Sequence, residues 1–136
     1  MLLDRARRLL GPLLTVVLCI GPLAATAAAQ DDKVYPVAEL SNPPKLSSTS
    51  TAARLIQESY PDELRRRGVG GLVEVQFVVD GKGKVDPATV EVVDATQSAL
   101  GEAAKKVVTR LEFVPGKLNG SSVRSRVVLP IVYKAQ

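Results

Sequence analysis

The 136-residue chain has no histidine and no tryptophan, and its one cysteine is Cys19. Without histidine it lacks the commonest acid-base side chain and the commonest neutral metal ligand. Cys19 sits inside an apolar N-terminal run, so the rest of the chain has no thiol nucleophile, no disulfide and no thiolate for zinc. Tyr35, Tyr60, Tyr133, Phe77 and Phe113 are the only aromatics. They are too few for a stacking platform along single-stranded nucleic acid. Charge of one sign is also lacking. The net charge is +4, of which Asp4, Arg5, Arg7 and Arg8 account for +2, and the remainder carries 15 basic and 13 acidic residues. That mixture favours neither nucleic acid nor a strongly anionic membrane as partner.

Residues 1–29 have the three-part layout of a secretory signal. Arg5, Arg7 and Arg8 are followed by an apolar run from Leu9 to Leu23, then by the small residues Ala27, Ala28 and Ala29 before Gln30. The competing reading is a retained anchor, since residues 9–29 number about 21 and about 20 suffice to cross a bilayer as helix. Pro22 disrupts a helix there, and the terminal alanines are weakly apolar, which favours cleavage and a periplasmic product. Leu18 precedes Cys19 where a lipidation site wants a small residue.

Residues 30–50 read as a mostly irregular tether. They hold Asp31, Asp32, Pro36, Pro43, Pro44 and the start of a Ser/Thr cluster, a composition that favours extended chain. Lys45-Leu46 is a candidate short strand. The folded domain is expected over residues 51–136, small but able to fold alone.

In that domain Thr51 is the expected cap of a helix through Leu55 and Ile56. Pro61 opens a second helical stretch, closed by Arg65, Arg66, Arg67 and Gly68. Val73, Val75, Phe77 and Val79 share one face of a strand, with Glu74, Gln76 and Asp80 on the other, as in a half-buried strand. Asp80-Gly81-Lys82-Gly83 is a turn. A strand from Lys84 to Val93 follows, and Pro87 marks it as an edge or a bulge. Leu100, Ala103, Ala104, Val107, Val108 and Leu111 form one helical stripe, with Ser98 as its expected cap. Asn119-Gly120 is a tight-turn pair. A last alternating strand runs to Tyr133. The order predicts an α+β fold, a two-layer sandwich of two helices packed on a three-stranded antiparallel sheet.

No catalytic constellation emerges. Ser121-Ser122 are turn residues with no base nearby. Gly81-Lys82-Gly83-Lys84 lacks phosphate-loop spacing and joins strand to strand. Asp80, Glu91 and Asp94 sit on solvated faces. The expectation is a non-enzymatic protein with no cofactor, no metal and no small-molecule substrate.

Tyr60-Pro61, Gly70-Gly71-Leu72-Val73, Asp80-Gly81-Lys82-Gly83-Lys84-Val85, Leu111-Glu112-Phe113-Val114-Pro115-Gly116, Asn119-Gly120, Val123 and Leu129-Pro130-Ile131-Val132-Tyr133 occur in an order that resembles the C-terminal domain of TonB-type energy transducers. The resemblance spans residues 57–133. It implies capture of an extended segment of an outer-membrane receptor, or another envelope protein, as an added strand. The receiving edge implied is the last strand, with Arg124, Arg126, Val127, Val128, Leu129, Pro130 and Ile131, joined by Gln57 and Tyr60. Arg124, Arg126 and Pro130 are independently the residues that discourage indiscriminate edge pairing. A free edge also permits a homodimer. The chain departs from the family in its short spacer: about 21 residues reach about 70 Å when extended. Asp94-Ala95-Thr96 and Leu100-Gly101 stand where many members have Ser-Ser-Gly and Leu-Asp. Two alternatives stay open: a minimal transducer anchored in the inner membrane by its N-terminal helix, and a cell-wall enzyme or binding domain.

Overall fold

The computed structural model describes residues 32–135. The expected signal or anchor, residues 1–29, lies outside the described residues. No helix among those described is long and apolar enough to cross a membrane.

The segment expected as a mostly irregular tether carries structure. β1 (Val34–Pro36) leads into a single 3-10 turn (Val37–Glu39), and β2 (Lys45–Leu46) follows. Val34 and Tyr35 are too short a run to show alternation among prolines and acids. They form a strand because a neighbouring edge offers unpaired N–H and C=O groups.

α1 (Thr49–Ser59) begins at Ser48, whose hydroxyl accepts the Thr51 N–H at 3.2 Å. The cap is therefore Ser48 rather than Thr51, one turn earlier than expected. α1 buries Ala52 and Leu55. α2 (Asp62–Arg66) follows Pro61, with Asp62 and Glu63 in its first turn and Arg65 and Arg66 in its last. This order matches the helix dipole. Gly68 closes it at φ 67.

β3 (Gly71–Val79) is the central strand, and Val73, Val75, Phe77 and Val79 are fully buried along one face. β4 (Val85–Ala95) pairs antiparallel with it and forms one edge of the sheet. The register slips between Gln76 and Val78, opposite the stretch containing Pro87. There Thr89 Oγ1 accepts the Val78 N–H at 2.9 Å and donates to the Asp86 carbonyl. A side chain thus replaces ladder bonds that the proline bulge disrupts. In the β3–β4 turn, Asp80 Oδ1 accepts the N–H groups of Lys82 and Lys84, both at 2.9 Å.

α3 (Ser98–Val108) lies across β3 and β4, burying Leu100, Gly101, Ala104, Val107 and Val108. Its cap position is Gln97, without a side-chain bond, and Ser98 is the first helical residue rather than the cap. β5 (Phe113–Val114) pairs with β2, and β6 (Lys117–Leu118) forms a hairpin with β7 (Ser121–Ser122). β8 (Arg124–Tyr133) completes the main sheet.

The sheet order is β1-β8-β3-β4. Its three-stranded antiparallel part, β8-β3-β4, is the one expected. The fourth strand, β1, is an addition, and it runs parallel to β8. α1 and α3 cover one face of the sheet, as the two-layer expectation requires, and the core lies between them.

Candidate functional site

β8 is positioned by the hairpin before it and by β3 beside it. Asn119 and Gly120 take φ values of 50° and 82°, both left-handed, as a tight two-residue turn needs. β3 then pairs with β8 over its whole length, from Val79↔Ser125 to Gly71↔Tyr133. On the other flank, β1 pairs with Arg124, Ser125 and Arg126 and then turns away. Beyond Arg126, residues 127–133 have no strand on that flank among the described residues. The expected receiving edge is therefore divided into a covered stretch of three residues and an open stretch of seven.

Side chains alternate along this strand. Ser125, Ile131 and Tyr133 are buried, and Val127 and Leu129 are half-buried on the same face. Arg126, Val128, Pro130 and Val132 point to the uncovered face and are exposed. Val128 and Val132 retain about half of their accessible surface, 51% and 49%. Leu72, directly opposite Val132 on β3, extends this apolar stripe. Pro130 supplies no N–H, which a strand tolerates where one flank is open.

Arg124 differs from Arg126. Its Nη2 lies 3.1 Å from Asp86 Oδ2 on β4, and both side chains are largely shielded. The bridge spans β3 and fastens the start of β8 to β4. Arg126 makes no such pair among the described residues and stands opposite Val78.

Gln57 is exposed on α1. Its backbone carbonyl accepts the Tyr60 N–H at 3.2 Å and Arg65 Nη2 at 2.6 Å. Gln57 lines a shallow recess of about 290 Å³ with Arg54, Glu58, Arg65 and Lys134. Lys134 directly follows β8, so the recess sits where that strand ends.

Tyr60 is placed differently from the other expected contact residues, because only 3% of it is exposed. Its hydroxyl donates to the Val69 carbonyl, and its ring packs on Tyr133. A ring in the core cannot touch a partner on the surface, so Tyr60 holds the end of β8 in place. Ile131, at 1% exposure, likewise offers a partner only its backbone. Tyr133 shares a 3.0 Å hydrogen bond with Ser59. Burial raises the Tyr133 phenol above its usual pKa, and the Ser59 bond partly opposes the shift.

The structure thus brings Arg124, Arg126, Val127, Val128, Leu129, Pro130 and Ile131 onto one strand, with Gln57 near its end. Sequence reasoning missed the β1 cover, the apolar contribution of Leu72 and the cationic recess. Among the described residues no cluster of histidine, cysteine or acidic side chains could hold a metal ion.

Residues 56–135 match the family model for the Gram-negative bacterial TonB protein C-terminal region. Protein TonB of Vibrio cholerae serotype O1 is 29% identical over 115 residues, covering 85% of this chain and 44% of that protein. The chain thus spans less than half the length of this curated relative. The solution structure of the Pseudomonas aeruginosa TonB C-terminal domain superposes with a TM-score of 0.48 at 20% identity, covering 57% of this chain and 77% of that one. The Helicobacter pylori TonB C-terminal domain gives a TM-score of 0.37 at 22% identity, covering 66% and 86%. With more than half of its length matched by the family model, the chain belongs to the TonB C-terminal family.

Proposed function

We propose that this protein is a non-enzymatic binding module of the cell envelope that takes up an extended partner segment as an added strand on β8. The observation that carries this reading is the open stretch of residues 127–133. Among the described residues no strand pairs with it on the flank away from β3. An incoming strand gains main-chain hydrogen bonds there, and alternate side chains meet Val128 and Val132. Family membership points to outer-membrane transport receptors as the source of the segment and to the periplasm as the place of action. The recess of Arg54, Gln57 and Lys134 receives the end of the segment. The same edge admits β8 of a second copy, giving a homodimer.

Site-specific photocrosslinking in the native envelope tests the reading. A photoreactive residue at Val128 or Val132 should trap an outer-membrane receptor. One at Val93, equally exposed on β4, should not. Equal trapping at Val93 would defeat the assignment to the β8 edge.

A further inference from the structure

β1 occupies a place on β8 that an incoming strand would also use. Its register is short and parallel: Val34↔Arg124, Tyr35↔Ser125 and Pro36↔Arg126. Pro36 has no N–H, and neighbouring N–H groups of a strand point to opposite sides, so only one N–H of the three can face β8. None of the three residues is fully buried, and the 3-10 turn after them buries nothing either. The Lys33 ammonium lies 4.6 Å from the centre of the Tyr35 ring. A three-residue pairing returns little beyond the cost of ordering its own backbone. By contrast, alternate residues of β3 on the far side of β8 are completely buried.

The chain just after β1 is held firmly. The N–H groups of Ser41 and Asn42 donate to the Lys117 carbonyl at 2.9 and 3.1 Å, and the Lys117 N–H donates back to Asn42. Ser41 Oγ accepts the Asn119 N–H at 3.0 Å. Leu40 packs on Gly116, where a built Cβ would come within 2.6 Å of its Cδ1. A three-residue strand is thus tied by a fixed anchor a few residues away. Tethering of that kind gives the strand a high effective concentration at the edge without making its contacts strong.

We propose that Val34–Pro36 is a displaceable strap: an internal competitor that seals Arg124, Ser125 and Arg126 until a longer extended segment exchanges with it. The inference rests on the strand-addition reading of β8. It adds that full use of the edge requires strap release, and that the strap raises the threshold for pairing with weak or wrong partners.

The test uses the full chain and one probe, a synthetic peptide with the sequence of residues 32–40. In the Val34→Pro/Tyr35→Pro variant the strap keeps no N–H that can face β8. That variant should bind the peptide at least tenfold more tightly than the unaltered chain, with amide shifts centred on Arg124, Ser125 and Arg126. In a second variant, Val34→Cys/Arg124→Cys with Cys19→Ser, oxidation locks the strap to β8. It should bind no peptide when oxidised and recover binding on reduction. Equal affinity in all forms, shifts located elsewhere, or no binding to the proline variant would each overturn the strap. Because the probe is the chain's own segment, the result is separate from receptor capture. Receptor crosslinks at Val128 with no effect of the lock would leave the proposed function standing and remove the strap.

Discussion

The rings of Tyr60 and Tyr133 meet edge to face, 5.3 Å apart and inclined at 77°. This contact joins the end of α1 to the end of β8, and it explains why a Tyr-Pro pair far from the last strand in sequence bears on that strand's position. Tyr60→Ala removes a buried ring and should cost about 3–5 kcal/mol in urea unfolding. Tyr60→Phe leaves the Val69 carbonyl without its donor and should cost about 1–3 kcal/mol. A double-mutant cycle on the two tyrosines should return a coupling of about 0.5–1.5 kcal/mol. Additive losses would mean that the rings do not support each other.

Burial raises the Tyr133 phenol, so the folded state holds its proton more tightly than the unfolded chain does. The resulting stability is full below the unfolded tyrosine pKa, about 10. It is lost as pH rises through the higher folded value. Unfolding midpoints of the unaltered chain should fall over that alkaline window more steeply than those of Tyr133→Phe. Parallel curves would contradict the buried-phenol account.

Lys84 Nζ lies 2.6 Å from Glu112 Oε1, tying the β3–β4 turn to the strand entered at Phe113. The hydrogen bond and the charge of Lys84 hold the Glu112 carboxyl below its usual range. Its contribution is therefore present above the unfolded carboxylate pKa and lost as pH falls through the folded one. In a carbon-detected titration, Lys84→Met should move the Glu112 midpoint upward. Both groups are exposed, so the shift should shrink as salt is added.

Gly83 and Gly120 both have left-handed φ angles, 84° and 82°, but their surroundings differ. A Cβ on Gly83 would lie 1.9 Å from the Phe113 carbonyl oxygen, whereas one on Gly120 meets nothing within 4 Å. Gly120→Ala should cost only the strain of the conformation, about 1–3 kcal/mol. Gly83→Ala should cost distinctly more and weaken the Phe113 N–H bond to the Gly83 carbonyl. Hydrogen exchange at the Phe113 amide separates the two.

Much of the layering was legible because alternation and helical periodicity are direct consequences of one-sided burial. Val73 to Val79 and Leu100 to Leu111 announce their elements for that reason. Asn119-Gly120 announces its turn because few residues accept two left-handed φ angles. β1 was illegible because a three-residue strand that buries no side chain leaves no periodic signal; it depends on an edge supplied by residues about ninety positions away. The helix caps were misplaced by short distances for a local reason: several serines and threonines compete for each start, and only backbone geometry selects Ser48. On β8 the alternation was readable, but the receiving-edge reading took Val128 and Ile131 alike, and the structure separates exposed Val128 from buried Ile131. The burial of Tyr60 was not readable, because it depends on Tyr133 and Val69 closing around the ring.

The central claim, that residues 127–133 accept a partner strand, is tested most directly by amide hydrogen exchange on the full chain with and without the periplasm-facing extended segment of an outer-membrane transport receptor from the same organism. The account predicts new protection at alternate amides within residues 127–133, with β4 unchanged. Protection confined to β4, or to the helical face, with β8 exchanging as before, would contradict it.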